Sequence, residues 1–235
     1  MPLRWAADTA ALYARVFRRG AQLAVRNWPV GLAAVGYVVL LTVAARLAAP
    51  LGIVGAVLLG VLMVACFSSW LSLAEQVVRH GQARLVDVLE GFRAYLLDLL
   101  TVGFLLQLLR LAGSLVLEPF PFLQIVFGLA TVVFFNAVPE LIYLGRYSST
   151  DLLVASYRFI GENWIEWFPA NFVLLALLGA LVWLADALPG GLFGLVLPAT
   201  AGVALSFATI VRGLLFIELT SSGRRAREFR RRATG

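Results

Sequence analysis

The sequence predicts an all-α polytopic membrane protein with six transmembrane helices, arranged as three hairpins, each preceded by an interfacial amphipathic helix. Three observations carry this expectation. Residues of the set AVILMFWYC make up 61% of the 235-residue chain and charged residues 14%, against about 45–50% and 25% in soluble domains. A water-soluble fold could not cover its own surface with so few polar groups. Six stretches approach the ~20 apolar residues that a crossing helix needs, and the arginines fall on alternate sides of them.

Taken in order, the first amphipathic helix covers residues 5–28. At 100° per residue Arg4, Asp8, Arg15, Arg18, Arg19, Gln22 and Arg26 share one face, opposite Trp5, Leu12, Tyr13, Val16, Phe17, Leu23 and Trp28. Spans 30–49 and 52–74 follow, joined at Ala49-Pro50-Leu51-Gly52. Proline cannot continue a helix and glycine permits the reversal, so the two form a hairpin. A second amphipathic stretch, 83–96, sets Arg84, Asp87, Glu90 and Asp98 against Leu85, Val88, Leu89, Phe92, Tyr95 and Leu96. It leads into spans 97–117 and 122–144, joined at Glu118-Pro119-Phe120-Pro121. The third, 150–168, opposes Asp151, Arg158, Glu162 and Glu166 to Leu152, Leu153, Phe159, Ile160, Trp164 and Trp167, and Thr150-Asp151 supplies its N-cap and first-turn acid. Spans 170–188 and 193–219 close the series, joined at Leu188-Pro189-Gly190-Gly191. Residues 1–220 are thus one transmembrane domain and 221–235 an arginine-rich tail. The unit recurs with a period of about 70 residues as a pattern of helix types, with thin letter-level similarity between Arg26-Asn27-Trp28-Pro29 and Glu162-Asn163-Trp164.

Orientation follows from the basic residues, which are all arginine: 19 against 13 acidic residues, for a net charge of +6. Sixteen of them precede the first span, follow the sixth, or lie between spans two and three or four and five, while the three hairpin turns hold none. By the positive-inside rule both termini are cytoplasmic. With arginines beside apolar segments, the partner this charge implies is an anionic lipid headgroup and not nucleic acid. Arg15, Arg18, Arg19, Arg26, Arg224 and Arg225 are the candidate headgroup contacts. A single cysteine, Cys66, excludes an intrachain disulfide, and a single histidine, His80, excludes any site needing two imidazoles. The N-terminal residues carry no apolar signal-peptide core and no lipidation motif.

The repeated amphipathic helix and hairpin, together with Asp87-Val88-Leu89-Glu90-Gly91-Phe92-Arg93 and Ala155-Ser156-Tyr157-Arg158-Phe159-Ile160-Gly161-Glu162-Asn163-Trp164, resembles the six-helix membrane domain fused to some bacterial glycerophosphodiester phosphodiesterases, and stand-alone relatives of that domain. The resemblance covers most of the chain. It implies a bacterial inner-membrane protein. This sequence carries no phosphodiesterase domain, so that metal-dependent chemistry does not transfer, and the membrane part brings no catalytic residue with it.

Ionisable groups inside a bilayer are costly and mark functional or structural sites. On the outer half, Arg46 lies four residues before Pro50, about 6 Å, close enough to snorkel. Arg110, one turn from Gln107, lies about 12 Å below Glu118 and should face the bundle, paired with Asp186 or Glu118. On the inner half, Asn136 and Glu140 share a helix face beside the break that Pro139 imposes. Arg212 continues the small-residue line Thr200, Ala204, Ala208 and is expected to pair with Glu140. Either these groups line a polar pathway, or they hold the helices in register. Ser68, Ser69 and Ser72 lack any nucleophile context and read as helix-packing hydroxyls; His80 lacks a partner for base catalysis. No catalytic constellation, cofactor motif or metal-ligand cluster is legible.

Three functions remain, in descending order. The first is a non-enzymatic scaffold or accessory subunit that binds the cytoplasmic leaflet and protein partners, or a second copy of itself. The second is a transporter or channel for an ion, lipid or amphiphile. The third is a membrane-embedded lipid-modifying enzyme.

Overall fold

The computed structural model describes residues 2–145, 147, 149–187 and 193–221. Among them every regular element is helical: α1 (Pro2–Arg26), α2 (Trp28–Ala48), α3 (Gly52–His80), α4 (Val88–Ala94), α5 (Leu96–Val116), α6 (Pro121–Phe134), α7 (Val138–Tyr143), α8 (Ser149–Ala187) and α9 (Phe193–Ser221). Five stretches are long and apolar enough to cross a membrane: Trp28–His80, Leu96–Val116, Pro121–Tyr143, Thr150–Leu184 and Val196–Ser221. The first holds both α2 and α3, because the turn between them, Ala49–Leu51, is itself a 3-10 helix. The chain reverses there. Tyr37 Oη donates to Ser69 Oγ at 2.8 Å, and Asn27 Nδ2 at the start of α2 donates to the Gly81 carbonyl just past α3 at 3.1 Å, so the two helices lie antiparallel.

Asn27 fixes that junction. It is buried, its amide also donates to the Leu23 carbonyl at 2.9 Å, and its Oδ1 accepts from the Ala83 N–H at 3.0 Å. Gly81 ends α3 with φ +78°, a left-handed conformation that glycine adopts without a Cβ clash. Asn27→Ala removes three bonds and leaves two backbone groups to find new partners. We expect it to cost about 1–3 kcal/mol, read as a lower apparent melting temperature in detergent; an unchanged melt would mean that the junction contributes nothing.

α9 is the centre of the fold, touching α1, α2, α3, α7 and α8. The core collects around its second half, where Ala208, Val211, Leu215 and Leu219 meet Leu73, Val77, Leu141, Leu152, Ile160 and Trp167. At the other end the helices present apolar side chains outward, among them Val38, Ile53, Val116, Phe122, Leu129 and Trp183. α1 docks its inner stripe, Val16, Gly20 and Ala24, onto protein as well as flanking it: Phe17 meets Phe207 edge-on at 6.0 Å, and Tyr13 Oη donates to the Glu166 carbonyl at 2.8 Å. Burial, and after it the Glu166 carboxylate, push the Tyr13 phenol up to about 12. Trp28, on the apolar face read from the sequence, is exposed on the outside of the protein.

Three boundaries depart from the sequence expectation. The helix that holds the second predicted span does not stop at 74 but runs on to His80, because Ala74, Val77 and Val78 continue its buried stripe. The second amphipathic stretch is a 3-10 turn, Leu85–Asp87, followed by only seven helical residues. Two buried serines of α3 staple it in place. Ser68 Oγ donates to the Gly91 carbonyl at 2.8 Å and accepts from the Tyr95 N–H at 2.8 Å, while Ser69 Oγ donates to the Val88 carbonyl at 2.7 Å. The third amphipathic stretch and the fifth span are a single 39-residue helix with Pro169 inside it. Leu152, Ser156, Phe159, Asn163, Trp167, Ala170 and Leu174 form one buried stripe at helical spacing through the proline, and packing of that stripe outweighs the roughly 3 kcal/mol that an interior proline costs.

Candidate functional site

The fourth predicted span, 122–144, is broken between α6 and α7, and the break builds the most polar site in the core. Pro139 has no N–H to give and its ring excludes the carbonyl one turn earlier, so the helix unwinds over residues 135–137. Val138 N–H then donates to the Phe135 carbonyl at 3.2 Å, and the Asn136 carbonyl turns to a side chain. Arg212 on α9 supplies it: Nη2 donates to that carbonyl at 2.8 Å. The same guanidinium grips Glu140 of α7 with two prongs, Nε to Oε1 at 2.6 Å and Nη2 to Oε2 at 2.9 Å, and its Nη1 donates to Asn171 Oδ1 at 2.8 Å. Trp167 lies under the cation with 5.2 Å from the guanidinium carbon to the ring centroid, and its indole N–H donates to Asn136 Oδ1 at 2.9 Å. Asn171 closes the circuit by donating to the Trp167 carbonyl at 2.7 Å.

The chemistry of this cluster is that of a satisfied ion pair. Glu140 is 1% exposed, where a lone carboxylate would be prohibitively costly. A guanidinium has five N–H donors, and four donor–acceptor contacts are made here within the chain's own atoms. A fork matched to a carboxylate also fixes orientation, which a lysine could not do.

A second arginine holds the other end of α7. Arg79 Nη2 donates to the Leu144 carbonyl at 3.0 Å while its Nε pairs with Glu75 Oε1 at 2.9 Å. Glu75 in turn accepts from Tyr95 Oη. Burial, then the hydrogen bond to Glu75, hold the Tyr95 phenol well above its usual range, so it stays a donor. The short helix Val138–Tyr143 is therefore clamped at both ends by arginines from different helices.

Of the residues singled out in the sequence, Asn136, Glu140 and Arg212 are brought together. Gln107 and Arg110 are not. Both are exposed on α5, whose inward stripe is Val102, Leu106 and Leu109, so the expectation that Arg110 faces the bundle is corrected. No Arg110–Glu118 ion pair occurs among the described residues. The Asp186 side chain, the third hairpin turn, and Arg224 and Arg225 with the rest of the tail from 222 onward lie outside the described residues. Arg15, Arg18, Arg19 and Arg26 are exposed along one side of α1.

Sequence reasoning missed Trp167, Asn171, Glu75 and Arg79. A signal was present for two of them: Asn163, Trp167 and Asn171 recur every four residues, a polar stripe on one helix face. Among the described residues no group of three or more His, Cys, Asp or Glu could hold a metal ion. No protein family, curated protein or solved structure matches this chain.

Proposed function

We propose that the chain is a non-enzymatic integral membrane scaffold or accessory subunit. It crosses a bacterial inner membrane six times as three hairpins, with both ends in the cytoplasm, in keeping with its resemblance to the membrane domain fused to glycerophosphodiester phosphodiesterases. The observation that carries the reading is the occupancy of Arg212. The deepest charges in the core are spent on one another and on Asn136 and Asn171, leaving little with which to bind and release a substrate. The apolar side chains facing outward from α2, α3, α5, α6 and α8 suit contact with lipid or with another protein.

α1 supports an interfacial role because it has three sides. Val16, Gly20 and Ala24 are buried against protein, Arg15, Arg18, Arg19 and Arg26 form an exposed basic side, and Ala7, Ala14, Ala21 and Val25 form an exposed apolar one. A helix at the bilayer surface meets protein, headgroups and acyl chains on three such sides, and the basic side would hold anionic lipid.

The transporter reading is favoured by one feature, the unwound segment 135–137 beside a charge pair, since transporters place broken helices at their binding sites. Cysteine accessibility separates the two. In a Cys66→Ser chain, single cysteines replace Ala170 and Ala208, both buried and flanking the pair along α8 and α9. A scaffold leaves both unreactive to a water-soluble maleimide applied from either side of the membrane. Labelling of either one from the outside would replace the scaffold with a transporter.

A further inference from the structure

A cleft of about 570 Å³ opens between α7, the first four turns of α8 and the last described turns of α9. Its floor is apolar, with Leu141, Phe159, Phe216 and Leu219, and its rim carries Asp151, Arg158 and Glu162. The floor side chains are buried, but Tyr147 and Val154 on its walls are 46% and 49% exposed, so the walls keep open apolar surface. Arg158 and Glu162 are one helical turn apart, yet they form no ion pair, nor does Asp151 among the described residues. Such a place suits an occupant with an apolar anchor and charges of both signs, cationic in excess.

We propose that the occupant is the chain's own segment Arg224–Arg232. It reads Arg-Arg-Ala-Arg-Glu-Phe-Arg-Arg-Arg: arginines for Asp151 and Glu162, Glu228 for Arg158, and Phe229 for the exposed apolar walls at Tyr147 and Val154. Connectivity singles it out. Phe216, Leu219 and Thr220 of α9 already line the cleft, and the segment follows from that same helix. Phe229 lies nine positions beyond Thr220, a reach of up to about 30 Å. A short tether also gives the segment an effective concentration in the millimolar range, with which any free basic amphipathic peptide must compete. The cleft is then a self-occupied docking site.

The test uses the full-length chain in membrane vesicles, with Cys66→Ser, Ala226→Cys and Val154→Cys, a short bismaleimide, and mass spectrometric quantification of the linked peptide. A parallel chain carries Ala14→Cys on the exposed side of α1 in place of Val154→Cys. The expected result is a yield at Val154 at least tenfold above that at Ala14, lost when Asp151→Asn and Glu162→Gln are combined, and lost equally when Arg224, Arg225 and Arg227 become glutamine. The second set lies in the tail, so its effect does not pass through stability of the helical core. Yields that are equal at the two positions would place the tail on the bilayer and overturn the proposal. So would a Val154 yield indifferent to both sets of neutralising changes. Neither result bears on whether the protein is a scaffold or a transporter, which the Ala170 and Ala208 labelling decides separately.

Discussion

Arg212→Ala is expected to lower stability by about 3–5 kcal/mol, the usual loss when one member of a buried ion pair is removed. The substitution strands Glu140 at 1% exposure and also frees the Asn136 carbonyl and the Asn171 side-chain oxygen that the guanidinium had held. The apparent melting temperature in detergent, together with the fraction eluting as a monodisperse peak, reports it. Adding Glu140→Gln to Arg212→Ala should raise the melt again, because the stranded charge is gone and only neutral hydrogen-bonding groups remain to be matched. Arg212→Lys should fall between, keeping the charge and losing the two-pronged geometry. If the double variant melts no higher than Arg212→Ala alone, the two side chains are not coupled and the cluster is not what holds α7 to α9.

Gly202→Val is the second large effect. α2 and α9 cross where Gly202 meets the Gly31 carbonyl, and a Cβ on Gly31 would in turn lie 2.7 Å from the Val203 Cα. Backbone faces backbone on both sides, so neither helix can yield by turning a side chain. Overpacking costs typically about 1–3 kcal/mol, and a clash against main chain belongs at the top of that range. Gly36→Val, on α2 with Gly31 but with nothing within 4 Å of its position, serves as the control and should leave the melt within about 0.5 kcal/mol. Comparable losses at 31, 36 and 202 would mean that glycine matters there for chain flexibility, and not for the close crossing.

The pairing of Arg212 with Glu140 was legible because depth alone suffices for it: few charges lie in the inner halves of the spans, and these two have opposite sign. Depth failed for Arg110. How far a residue sits from a helix end says nothing about which way it points, and the inward direction of α5 is set by Val102, Leu106 and Leu109 against neighbours that a local pattern does not contain. The same limit applies to Pro169. Proline is a local breaker, whereas the stripe from Leu152 to Leu174 draws its stability from packing on distant segments such as Phe216, whose ring centroid lies 4.8 Å from that of Phe159. Trp167 reads from the sequence as part of the apolar face of an interfacial helix; it is fully buried, since a cation and an amide acceptor await it. Ser68 and Ser69 of α3 pack as the sequence suggests, but their partners, the backbone of α4 and Tyr95, could be named only once the helices were placed.

The helix on which α1, α2, α3, α7 and α8 all rest is synthesised after every one of them. Glu140 leaves the ribosome 72 residues ahead of Arg212, a delay of about 4–14 s at ordinary translation rates. During that interval the acid has no counter-charge, and α1, α2 and α3 lack the surface they will finally rest on. Nascent chains stopped before α9 should therefore remain bound to insertion machinery or be degraded.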